Sequence, residues 1–456
     1  MASLLVKNGL VVTSTGVFKW DVKIVEGVIV EIGTGIPSTG IDEVVDATNC
    51  YVFPGVVDEH VHMREPGLEY KDDFEHGSKA AIKGGVTTVI EHPNTIPPVE
   101  NSSKLVSKAR LLEPKAYADF ALLGVLHDAN LHEFEDMLGA GAIGFKIFMG
   151  PTTGNIPPPS DASLYEAMYK SAKTGTRVMF HAEDHNIVTY FTEKLKATGR
   201  TDPLVHEEAR PPLAEVYSIV KIATIAKYTG GKAHVVHVSS VDALEAVKAA
   251  KNQGVDVTAE TCPHYLLLDR EDYYKHGPLI KVNPPIRGGI HRKALLEAVV
   301  GGLLDAVGSD HAPHSPEEKS KPIWEASAGF AGVQTLLPLM VDAALKGAIP
   351  ITRVPQLLSE NPAKLFKLWP FKGALVPGSS GDLVVVDPNG TTEITSSWLE
   401  YKYKLSPYVG CRLRGRVKHV VLKGHVVVAD GELTGKKVGR WVKPPVPSNY
   451  SALTGV

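Results

Sequence analysis

Residues 55–63 read GVVDEHVHM, an apolar run that closes on two histidines spaced two apart. Side chains at i and i+2 of a strand share a face, so His60 and His62 point the same way. Seven further runs of that texture follow: VTTVIEH (86–92), YADFALLGVL (117–126), AIGFKIFM (142–149), RVMFHAE (177–183), AHVVHVS (233–239), DVTAETC (256–262) and DAVGSDH (305–311). Between them lie Ala/Lys/Glu-rich helical stretches such as GSKAAIKGG (77–85) and SVDALEAVKAAKNQG (240–254). Strands in strict alternation with helices, apolar almost throughout, predict a parallel sheet buried on both faces and closed as a (β/α)8 TIM barrel.

Outside this unit the texture changes. Residues 4–12 (LLVKNGLVV), 20–33 (WDVKIVEGVIVEIG), 382–387 (DLVVVD) and 417–433 (VKHVVLKGHVVVADGEL) are short β-rich runs broken by Gly-containing turns. The expected organisation is a small composite β-sandwich built from residues 1–52 and 371–456, flanking a barrel over 53–370. The Pro-rich tail from Lys443 is expected to be extended.

Composition narrows the function classes. The 456 residues carry a net charge of −3, with 43% hydrophobic and 22% charged residues, which is globular and leaves no broad basic surface for nucleic acid. No apolar run approaches the ~20 residues of a membrane span, and the N-terminus does not read as a secretory signal. Three cysteines at unrelated spacings (Cys50, Cys262, Cys411) fit a reducing, cytoplasmic setting.

In a TIM barrel the chemistry sits at the C-terminal ends of the strands. There the first run ends in His60 and His62, the fifth in His181, the sixth in His237 and the eighth in Asp310, while Lys146 lies inside the fourth. Alone, the His60/His62 pair also fits an exposed strand, and His181 or His237 a core histidine bonded to a backbone carbonyl. Together with Asp310 they form a donor set suited to a divalent ion such as zinc. Lys146 stands in a strand apolar on both sides, where an ammonium is costly to bury unpaired. Either a buried carboxylate pairs with it, or burial lowers its pKa to give a neutral amine that takes up CO₂ as a carbamate. Such a carbamate bridges two metals about 3.5–4 Å apart.

HVHMR (60–64), the buried lysine of strand four, the single histidines of strands five and six, and SDHAPH (309–314) resemble the amidohydrolase superfamily, and within it the cyclic amidohydrolases. The resemblance implies two zinc ions per chain held by His60, His62, N6-carboxylated Lys146, His181, His237 and Asp310. Asp310 is also the implied proton shuttle. HVHMREPG (60–67), EYKDDFEHGSKAA (69–81), HPNTIPPV (92–99), KVNPPIR (281–287) and DHAPHSPEEK (310–319) are similar to dihydroorotases of the carboxylated-lysine class. That similarity implies reversible hydrolysis of L-dihydroorotate to N-carbamoyl-L-aspartate in pyrimidine biosynthesis. Arg64, Asn94 and His314 would hold the substrate carboxylate and Asn283 the ring. Allantoinases typically lack this arginine, and a site built around it matches a substrate carboxylate.

Other segments lean elsewhere. ETCPHYLLL (260–268) and EYKYKLSPYVGCRLRGRV (400–417) look more like allantoinase or hydantoinase, and His92 stands where dihydroorotases usually carry Met. The alternatives are therefore an allantoinase or hydantoinase, or an inactive assembly partner. The Gly/Pro-rich loop GPTTGNIPPPSD (150–161) offers Thr152 or Thr153 as a lid over the substrate. The expected partners are a small-molecule substrate and further copies of the chain (dimer or tetramer), with aspartate transcarbamoylase as a candidate partner.

Overall fold

The computed structural model describes residues 2–154 and 156–444, so the tail from residue 445 lies outside the described residues. Five strands come first: β1 (Ser3–Thr13), β2 (Gly16–Val25), β3 (Val28–Gly33), β4 (Glu43–Asp46) and β5 (Tyr51–Pro54). Eight parallel strands follow, pairing in chain order: β6 (Val56–Val61), β7 (Val86–Glu91), β8 (Asp119–Val125), β9 (Gly144–Phe148), β10 (Arg177–His181), β11 (Lys232–Val235), β12 (Val257–Thr261) and β13 (Ala306–Val307). A parallel bridge between Val61 and His311 brings the end of this sheet back to its beginning. The eight expected strands are all present, as a nearly closed barrel. Every residue of β6, β7, β8 and β9 is buried, because helices cover the outside while side chains fill the inside.

The chain ends in β14 (Leu383–Glu393), β15 (Arg412–Leu422), β16 (His425–Ala429) and β17 (Glu432–Leu433). Antiparallel pairing of β14 with β5 joins both termini in one nine-stranded sheet with its own core of Val6, Val22, Val52, Val385 and Val421. Only Gly55 separates β5 from β6, so this sheet feeds directly into the first barrel strand. Lys372 rivets the junction: its buried Nζ lies 2.6 Å from both Asp119 at the start of β8 and Asp382 before β14. No helix among the described residues is long and apolar enough to cross a membrane.

Candidate active site

Register carries the chemistry to one rim. Lys146 of β9 pairs with Met179 of β10, and His181 with Phe148, so their side chains emerge at neighbouring levels. His60, His62, Lys146, His181, His237 and Asp310 all line one cavity of about 750 Å³. Arg64, Asn94, Thr152 and Asn283 line it too. The backbone at Arg64 (φ 67°), His237 (φ 41°) and Asp310 (φ 45°) is left-handed, a conformation that costs non-glycine residues energy and gathers at functional sites.

A side-chain oxygen lies against one ring nitrogen of His60, His62 and His181. His60 Nδ1 contacts Glu260 Oε1, whose other oxygen lies 2.9 Å from His234 Nε2. His62 Nδ1 donates to Asn94 Oδ1 at 2.7 Å, and His181 Nε2 lies 3.1 Å from Glu183, which Arg210 grips through Nε and Nη2. This leaves His60 Nε2 and His62 Nε2 at 3.3 and 3.4 Å from Asp310 Oδ1. His181 Nδ1 faces His237 Nε2 at 3.0 Å. Burial pushes all four imidazoles down, His60, His62 and His237 well below the ordinary range, so they are neutral with lone pairs available.

These separations match donors sharing one ion with bonds of about 2.1 Å, and carboxylates orienting metal-binding histidines are the usual supporting shell. Lys146 Nζ is buried with no hydrogen-bond partner among the described residues. Burial, partly offset by Glu260 and Asp310, brings its pKa down to about 7. The donor set therefore fits divalent metal, and the amine is poised as a neutral nucleophile. Burial also raises the Asp310 carboxyl, which suits a proton carrier.

His92, fully buried, stacks on His60 with centroids 4.1 Å apart and planes 5° from parallel, and meets His62 edge-on. Imidazole lone pairs lie in the ring plane, so rings stacked face to face cannot both aim at one ion. His92 packs against both His60 and His62.

Two sequence assignments look different in space. Asn94 reaches the cavity, but its Oδ1 is taken by His62 and its Nδ2 lies 3.4 Å from Thr153 O. His314 is not at the cavity wall. Its Nδ1 lies 3.0 Å from Lys71 Nζ and 3.3 Å from Glu318 Oε2, and its Nε2 lies 3.0 Å from Ala328 O and 3.2 Å from Arg64 Nη2. Burial and the neighbouring Arg64 bring the His314 pKa to about 3, keeping the ring neutral. Glu183, Arg210, His234 and the orienting role of Glu260 escaped the sequence reading. Glu183 follows His181 by two residues and Glu260 opens ETCPHY, so both had a weak positional signal.

A sequence profile described as the amidohydrolase family matches residues 51–427. The chain belongs to that family. This amidohydrolase is 36% identical to an allantoinase of Rubrobacter xylanophilus over 445 residues, covering 97% of each chain. It is 34% identical to an L-hydantoinase of Paenarthrobacter aurescens over 439 residues, covering 95% of this chain and 96% of that one. Among solved structures it resembles the L-hydantoinase (dihydropyrimidinase) from Arthrobacter aurescens, with a TM-score of 0.94 at 33% identity, covering 97% of this chain and 100% of that one.

These similarities overturn the dihydroorotase assignment. The motifs that prompted it are five short segments around the rim, whereas the 36% identity is spread over an alignment of 445 residues that takes in the barrel, the terminal sheet and segments such as 260–268 and 400–417. The placement in pyrimidine biosynthesis and the aspartate transcarbamoylase partner rested on that assignment and fall with it.

Proposed function

We propose that this amidohydrolase opens the ring amide of a hydantoin-type substrate, either allantoin or a 5-substituted hydantoin. The observation that carries the reading is full-length similarity to an allantoinase and L-hydantoinases in a chain whose six ligand-type residues meet at one cavity. In this proposal His60, His62, His181, His237, Asp310 and Lys146 hold two zinc ions. Lys146 does so after its neutral amine adds to CO₂, forming an N–C bond and releasing a proton. The ions would supply Lewis acidity toward the scissile carbonyl.

The chain's own residues do the rest. An Asp310 carboxylate oxygen takes a proton from the attacking water and returns it to the departing ring nitrogen. Thr152 and Asn283 line the cavity wall, where they would flank the ring. Arg64 Nε donates to Pro313 O at 3.0 Å, and no carboxylate among the described residues lies within 4.0 Å of the guanidinium. Buried at the cavity wall, it is a cation awaiting a ring substituent that carries a carbonyl or carboxylate oxygen.

The test is steady-state kinetics of zinc-loaded protein on allantoin and on hydantoins bearing alkyl, aryl or carboxymethyl groups at C5. At least one is expected to turn over, with activity lost to a chelator. Arg64→Met is expected to raise KM for the oxygen-bearing substituents by about 10–100-fold, the worth of a charge-assisted contact. Alkyl hydantoins should be little affected. Metal-loaded protein inert toward the whole panel would refute the proposal.

A further inference from the structure

Residues 324–329 form one wall of the cavity, yet this stretch has neither helix nor strand to satisfy its backbone. Its carbonyls turn instead to two buried ammonium groups. Lys281 Nζ donates to Ile323 O at 2.5 Å and Ala326 O at 2.6 Å, with Trp324 O at 3.5 Å. Lys319 Nζ donates to Ser327 O and Gly329 O, both at 2.8 Å, and to Lys281 O at 3.3 Å. A further carbonyl of the segment, Ala328 O, lies 3.0 Å from His314 Nε2.

Both lysines are more than nine-tenths buried, and no carboxylate among the described residues lies within 4.0 Å of either Nζ. Ammonium groups in a protein interior normally meet an acid. Here backbone dipoles alone receive them, which ties each cation to one shape of the segment. The outer end is pinned by Trp324 Nε1 to Arg200 O at 2.7 Å. At the inner end Gly329 (φ 126°) packs so closely that an added Cβ would lie 2.5 Å from Ala312 O, two residues past Asp310.

We infer that Lys281 and Lys319, with His314, are positioning residues that clamp the 323–329 wall against the substrate. The inference rests on the cavity being the cyclic-amide site. The motifs KVNPPIR and DHAPHSPEEK thereby acquire a shared purpose. The second delivers Asp310 to the reacting centre, His314 to one wall carbonyl, and Lys319 to two more through a short helix (Pro316–Lys319) capped by Ser315.

The experiment compares Lys281→Met and Lys319→Met with the zinc-loaded wild type by amide hydrogen exchange, metal content and kinetics on the panel substrate that turns over. A clamp predicts exchange over 323–329 accelerated about tenfold or more while the barrel strands stay protected. It also predicts unchanged metal content and a KM raised about fivefold or more, with kcat within about threefold. Lys281→Arg keeps the charge and should recover part of the lost KM. Should the methionine variants fold poorly, Trp324→Phe removes the Nε1–Arg200 O bond while keeping an aromatic ring at the wall, and is expected to shift exchange and KM in the same direction.

Unchanged exchange overturns the clamp. Faster exchange with KM unchanged also overturns it, since the wall would then not serve the substrate. If the wild type hydrolyses no member of the panel, the proposed function fails, while exchange still decides whether the lysines hold the wall.

Discussion

Lys146→Met in metal-free protein separates folding from function. In the wild type, burial holds the amine near pKa 7, about 3.5 below the value of a solvated lysine. Folding therefore discourages the charged form, at a cost on the order of 4 kcal/mol at pH 7. Methionine fills a similar volume without a charge, so the metal-free variant is expected to be more stable by that order. For a chain this long the gain is roughly 4 °C in Tm. The sign depends on pH in a definite way. Between pH 7 and about 10.5 the unfolded chain binds more protons at this site than the folded one, so wild-type stability climbs with pH. The variant lacks that climb, and the gap closes toward pH 10. Adding zinc and bicarbonate should reverse the order, because the wild type alone gains metal-binding energy. Urea unfolding and thermal scans of chelated and zinc-loaded protein at several pH values measure all of this. A metal-free variant less stable than wild type at pH 7, or a gap indifferent to pH, would refute the buried-amine reasoning.

Arg210→Met strands the buried Glu183 carboxylate without its three guanidinium contacts of 2.6–3.2 Å. It is expected to cost about 3–5 kcal/mol in urea unfolding and, through a loosened His181, about 10–100-fold in zinc affinity by competition titration. Buried His206 donates Nε2–H to Val282 O at 2.9 Å; burial, with Lys281 and Arg210 nearby, brings its pKa to about 3. Because the unfolded histidine titrates near 6.5, this residue's stabilisation fades as pH falls below that value, by about 2 kcal/mol at pH 5. His206→Gln should remove that portion of the acid sensitivity in unfolding measured at pH 7 and pH 5.

The eight barrel strands were legible because strands buried on both faces leave largely apolar runs in regular alternation with helical stretches. Hairpin texture at both termini likewise announced the composite sheet, which the β5–β14 pairing completes. The histidines and Asp310 stood out because each lies at or just past the end of an apolar run, and Lys146 because an apolar strand encloses it on both sides. His314 was harder. Its motif placed it near the site, but which way the ring faced depended on Lys71 and Ala328, which strand patterns do not address. Substrate choice was harder still, since segments around the rim resemble one member of the family while similarity along the whole chain favours others.

The sequence by itself determined the periodicity, and with it the barrel, the rim and the residue types offered there. Local patterning suffices for these because alternation and burial are encoded within a few residues. Only the tertiary structure decided how those residues are held. Glu260 meets His60 across 200 positions, and Lys281 supports a wall some 40 residues further on. Such pairings exist only after strands and loops have been brought round the barrel, and they fix which nitrogen is free, which carbonyl is occupied and which cation still faces the cavity.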